Sequence, residues 1–166
     1  MKKILIIEDT QANIDAAKSF FTTITGYEFI YCTNRKDAEK HLEEAYAVIT
    51  DRSLPFFNEI EPEEFVFRAN GWIIALNSKN MGKPTVIISA HGDALFVGGI
   101  NNSHQLFKEA ADKAKDLVGT EIKYTDFVQI RDYQQAGVIK TPQLGYIEKN
   151  IVDAWEIAWE KLIQQF

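Results

Sequence analysis

The chain has 166 residues, enough for one domain with a sizeable core, and its 46% apolar and 25% charged residues are ordinary for a globular protein. A net charge of −6 argues against a phosphate-backbone grip on nucleic acid. A single cysteine, Cys32, excludes an intrachain disulfide and suits a reducing, cytoplasmic compartment. No apolar run reaches the ~18 residues of a membrane span, so no membrane partner is expected.

The stretch Lys3–Thr10, KILIIEDT, is a short apolar run that ends in two adjacent acids, Glu8 and Asp9. The run is too short for the apolar core of a signal peptide, and its lack of alternation predicts a parallel strand buried on both faces. Ile14, Ala17, Phe21 and Ile24 then recur at helical spacing before Gly26, which predicts an amphipathic helix over about 11–25. YEFIYC, Tyr27–Cys32, predicts the second strand. Asn34 with Asp37 three residues on resembles a capping pair, which predicts a charged helix through about Glu44. AVIT, Ala47–Thr50, is a third apolar run, and it ends in Asp51.

Pro55 breaks the chain after Asp51, and a helix is expected from near Pro62 with Phe65, Ala69, Trp72, Ile73 and Leu76 on its apolar face. Gly82 and Pro84 close it before TVIIS, Thr85–Ser89, the fourth strand. The rhythm so far is βαβαβαβ with short connections, which predicts an α/β, doubly wound parallel sheet. From His91 the rhythm fails. One helix is expected around Leu106–Leu117 and a partly alternating, β-like stretch over Glu121–Ile130. GYIEK, Gly145–Lys149, is read as a short fifth strand. Asn150 with Asp153 is read as a cap for a closing helix that buries Ile151, Trp155, Ala158, Trp159 and Leu162.

Parallel strands deliver their carboxyl ends to one edge of the sheet, where ligands bind. That edge gathers Glu8, Asp9, Asp51, Ser89 and Lys149. Carboxylates at ~4 Å repel by roughly 4 kcal/mol each at an effective dielectric near 20, and a divalent cation relieves this. Hard oxygen ligands with open positions suit Mg²⁺ shared with a phosphate. A lysine and a hydroxyl supply a counter-charge and a donor for phosphoryl oxygens, so the set points to phosphoryl transfer onto a carboxylate. Asp51, following the central strand, is best placed to accept the group.

IIEDTQAN, VITDRSLP, VIISA and GYIEK closely resemble the receiver domains of two-component response regulators, over roughly residues 1–92 and 143–166. The resemblance implies a single receiver-like domain over 1–166 with a five-stranded, flavodoxin-like sheet. It implies Asp51 as the phosphorylated residue and Glu8, Asp9, Asp51 and the backbone carbonyl of Ser53 as the Mg²⁺ site. Ser89 becomes the switch hydroxyl, Lys149 the phosphate-bound lysine and Tyr146 the switch aromatic, while Ser53 and His91 occupy positions that tune dephosphorylation. Expected partners are a histidine kinase or phosphotransfer protein and an unidentified output protein. The resemblance implies a signalling domain rather than an enzyme, with at most self-phosphorylation and self-dephosphorylation expected.

The chain departs from the family pattern twice. Asn150 follows the lysine where family members have a proline in a cis peptide. A cis bond without proline costs ~3 kcal/mol, so a trans bond is expected and the family's device for aiming the lysine is absent. The stretch from Ser89 to Lys149 is also more than twice the about 20–25 residues that a helix and two short loops need, which predicts an insertion over roughly 93–143 between the fourth and fifth strands. That insertion gives Lys149 a rival, Lys140 in GVIKTP, and the choice favours Lys149 because GYIEK leads straight into the closing helix.

The missing proline and the insertion also keep open a pseudo-receiver that binds protein partners without phosphorylation. Other readings lack their motifs. A haloacid dehalogenase-type phosphatase needs a second acid at Gln11, a dinucleotide enzyme needs a G-x-G-x-x-G after the first strand, and His91 and Asp93 have no G-x-S-x-G elbow beside them.

Overall fold

The computed structural model describes residues 1–52, 54–55, 64–89, 108, 110–112, 128–131 and 149–166, and for 64–69, 89 and 128–131 the backbone alone. Apolar runs form the strands β1 (Lys2–Ile7), β2 (Tyr27–Cys32), β3 (Ala47–Asp51), β4 (Thr85–Ser89) and β5 (Val128–Arg131). Helices α1 (Gln11–Phe21), α2 (Arg35–Leu42), α3 (Glu64–Asn80) and α4 (Val152–Ile163) cover the sheet. All four pairings are parallel and the strand order is β2-β1-β3-β4-β5. The order reverses between β1 and β3, the switch point beside which ligands bind in such sheets.

The strands read as continuous apolar runs because both of their faces are covered. Ile4, Ile6, Ala47, Ile49, Val86 and Ile88 pack with Ala17 and Phe21 of α1 and with Trp155, Ala158 and Leu162 of α4. The alternate residues Leu5, Ile7 and Val48 pack with Ala38 and Leu42 of α2 and Ile74 of α3. At roughly 1.5–3 kcal/mol for each large apolar side chain buried, these two layers dominate the stability of the domain.

Local signals set most boundaries. Gly26 takes φ +88°, the left-handed conformation that turns the chain out of the first helix, although α1 itself ends at Phe21, short of the expected 25. Asn34 caps α2 by accepting the Asp37 N–H at 2.8 Å, as the spacing predicts. The expected Asn150–Asp153 cap does not form: the helix N-cap is Ile151, with no side-chain cap bond, and Asn150 stays in the preceding turn.

The fifth strand is expected at GYIEK, of which only Lys149 lies within the described residues; among the described residues the sheet's fifth strand is another segment. It is Val128–Arg131, where Val128 and Ile130 stand opposite Val86 and Ile88 in register, so it falls inside the span assigned to an insertion. Lys149 lies in the turn that precedes α4. Residues 90–127 separate β4 from β5, and 132–148 separate β5 from Lys149. The sequence signal was the alternation of VQIR, which suits a strand at the sheet's edge. No helix among the described residues is long and apolar enough to cross a membrane.

Candidate metal and phosphoryl site

β1 and β3 run in register from Ile4↔Ala47 to Ile7↔Thr50, so the next residue of each, Glu8 and Asp51, meet across neighbouring strands at the carboxyl edge. Strand spacing alone brings them within ~5 Å of backbone separation. Glu8 is buried, its amide bonded to the Cys32 carbonyl at 3.0 Å, and its Oε1 accepts the Thr10 amide at 3.0 Å. Asp9 follows at the exposed rim. Glu8, Asp9 and Asp51 each offer an oxygen, and these oxygens lie within 4.8 Å of one another. Three hard oxygen donors so close, one of them at the exposed rim, fit a divalent cation that keeps part of its water shell.

Lys149 enters from the turn before α4. Its Nζ lies 2.8 Å from Glu8 Oε2 and 2.9 Å from Asp51 Oδ1, and all three residues are at most 3% exposed. Burial by itself disfavours the ammonium, yet the charges of Asp51 and Glu8 more than offset this and hold its pKa above the usual 10.5. Asp9 behaves in the opposite sense for a carboxyl: desolvation first and the Glu8 charge second push its pKa up from 3.8, against the weaker pull of Lys149. Asp51 Oδ1 also accepts the Arg52 amide at 2.7 Å. The Lys149–Asn150 bond is trans, and the lysine reaches the acids through it.

The backbone of Asp51 is gripped from α3. Gly71 donates its amide to the Arg52 carbonyl at 3.1 Å and packs directly against the Asp51 carbonyl. Its neighbour Asn70 donates from Nδ2 to the Leu54 carbonyl at 2.9 Å and accepts Arg35 of α2 at 3.3 Å, while the Arg35 amide donates to Pro55. Sequence reasoning passed over Gly71, Asn70 and Arg35. A glycine in the interior of a 17-residue helix was the available signal, since it marks a close backbone approach.

The structure thus brings Glu8, Asp9, Asp51 and Lys149 together. Ser89 ends β4 one position beyond Ile88, which pairs with Asp51, so its backbone stands at the same edge. Ser53, Lys140, Tyr146, His91 and Asp93 lie outside the described residues. Cys32 is buried at the end of β2, and burial pushes its thiol up to about 11, so it stays protonated at neutral pH.

Neither a scan of protein-family models nor a search of curated proteins finds a match to this chain. Solved structures do match. A CheY-like response regulator receiver domain protein from Methanospirillum hungatei JF-1 aligns with a TM-score of 0.51 at 17% identity, covering 99% of this chain and 96% of that one. The signal receiver domain of an HD domain-containing protein from Pseudomonas fluorescens Pf-5 aligns with a TM-score of 0.51 at 12% identity, covering 98% of each. At these identities the likeness is one of fold. The chain has the fold of response regulator receiver domains.

Proposed function

We propose that this chain is a receiver-like phosphoacceptor in a histidine–aspartate phosphorelay, cytoplasmic, with residues 1–166 forming one domain. The observation that carries the reading is the buried Lys149 ammonium shared by Glu8 and Asp51 beside the Asp9 carboxyl. Such a concentration of charge at a sheet edge costs stability, and a phosphoryl group with its cation is what it suits.

In the transfer, a carboxylate oxygen of Asp51 attacks the phosphorus of a phosphohistidine. The new O–P bond forms as the P–N bond breaks, and the imidazole leaves with the electron pair. Glu8, Asp9, Asp51 and the Ser53 carbonyl are the residues that would hold Mg²⁺, which when bound offsets the negative charge of the incoming phosphoryl oxygens. Lys149 follows the charge from the carboxylate of Asp51 to the phosphoryl group, and the Ser89 hydroxyl donates to a second oxygen. Tyr146 and the carboxyl ends of β4 and β5 then favour a partner-binding arrangement. The extra residues on either side of β5 shape the surface offered to the output protein.

Incubation with acetyl phosphate and Mg²⁺, followed by intact-mass measurement, tests the reading. One added phosphoryl group on the wild type and none on Asp51→Asn is the expected result. Equal labelling of both proteins, or none of either, overturns it, and the second outcome leaves a phosphorylation-independent binding module.

A further inference from the structure

Trp155 is fully buried in the first turn of α4, where helix side chains lean toward the N-terminus. Its indole Nε1–H donates to the backbone carbonyl of Lys149, six residues back, at 2.7 Å. The same ring packs edge-on against Phe21 of α1, centroids 6.3 Å apart. The turn holding Lys149 has no side-chain helix cap, since the N-cap Ile151 offers none. We propose that Trp155 is a positioning residue for the site: its N–H anchors the main chain of Lys149 to the α1–α4 core so that the ammonium reaches Glu8 and Asp51.

A lysine side chain has four rotatable bonds and is most at ease in water. Its ammonium meets two carboxylates on neighbouring strands only if its Cα is held at the sheet edge. The adjoining peptide is trans, and Asn150 is exposed, so neither fixes that position. The Trp155 bond does, because both of its ends are buried and the ring is wedged in the core. A buried carbonyl without that donor would turn toward water and carry the lysine with it. The proposal rests on the reading of Lys149 as the site's cation.

The test is pulsed labelling with acetic anhydride in the absence of Mg²⁺, read lysine by lysine by peptide mass spectrometry. Two full-chain variants are compared with the wild type: Trp155→Phe, and a chain with 3-benzothienylalanine at position 155. The second keeps the shape of the ring system and lacks only the N–H. Lys149 is expected to be modified roughly tenfold faster in both, with Lys161 of the same helix unchanged, because the opening is local. If Trp155→Phe loosens the whole fold, the benzothienyl chain decides. Lys149 as protected there as in the wild type overturns the proposal, and so does a rise shared equally by Lys161, which would make Trp155 a general core residue. A wild-type Lys149 modified as fast as Lys161 is a separate outcome, and it overturns the site geometry and the proposed function with it.

Discussion

A Cβ on Gly71 would stand 1.9 Å from the carbonyl oxygen of Asp51 and 2.4 Å from that of Arg52. The obstacle is backbone, so no side chain can swing aside to make room. In an exposed helix interior, Gly→Ala stabilises by about 1 kcal/mol. Here α3 must lift off the loop that follows β3, and overpacking of this kind costs about 1–3 kcal/mol. Gly71→Ala is therefore expected to lower the urea midpoint and, by shifting the Asp51 main chain, to slow phosphorylation by acetyl phosphate. A rise in the midpoint would show that α3 does not press on Asp51.

Asn70 secures the next part of the same loop. Its side chain bridges the Leu54 carbonyl and Arg35, joining α2, α3 and the segment beyond Asp51. Asn70→Ala leaves the Leu54 carbonyl without this buried donor, at a cost of about 1–3 kcal/mol. Asn70→Asp is nearly the same shape but cannot donate to Leu54, so chemical denaturation should find it destabilised as well. Wild-type stability in both variants would show that the bridge carries no energy.

The sheet was legible because burial on both faces leaves an unmistakable mark: KILII, AVIT and TVIIS carry polar residues only at their ends. The pairing of Glu8 with Asp51 followed from the strands' carboxyl ends, which parallel pairing forces to one edge. The strand Val128–Arg131 was harder to read, because its place beside β4 is marked only by the weak alternation of VQIR, whereas GYIEK carries the lysine motif. Lys149 reaches the site from a turn, and its place there depends on long-range packing through Trp155, which spacing alone marks only as a core residue. Gly71 was missed for a related reason: the apolar stripe of a helix shows which face is buried, while a close approach of two backbones leaves only the absence of a side chain.

Lys149 sets one positive charge against two buried carboxylates, so Lys149→Met should remove that charge and leave Glu8 and Asp51 to repel each other more strongly. Removing one partner of a buried ion pair costs about 3–5 kcal/mol. Calorimetry should show a large fall in the melting temperature, partly reversed by adding Glu8→Gln to the same chain. The sign of the pH dependence follows from the raised pKa. The stabilisation is fully present below the ordinary 10.5 and is lost as pH climbs through the higher folded-state value, as the unfolded chain releases its proton first. Wild type and Lys149→Met should therefore converge in stability only under strongly alkaline conditions. Similar melting temperatures at neutral pH would mean that the ion pairs contribute nothing.

Asp9 presents the reverse case. Desolvation and the neighbouring Glu8 charge raise its pKa above 3.8, so the folded protein holds the Asp9 proton more tightly than the unfolded chain does. The stabilisation from that proton is complete below 3.8 and disappears as pH rises through the folded-state value, which leaves a charged Asp9 unfavourable at neutral pH. Asp9→Asn removes the charge while keeping the size, and at pH 7 without metal it should melt slightly higher than wild type, the gain kept small by solvent screening at the exposed rim. The gain should vanish on acidification to below the usual carboxylate range. Mg²⁺ should reverse the order, stabilising the wild type more than the variant, since ligand binding to the folded state adds RT ln(1 + [L]/Kd) and the variant lacks one anionic oxygen donor. A variant that melts lower than wild type without metal would mean that Asp9 is held by favourable contacts instead of crowded by Glu8. Equal responses of the two proteins to Mg²⁺ would remove Asp9 from the metal site.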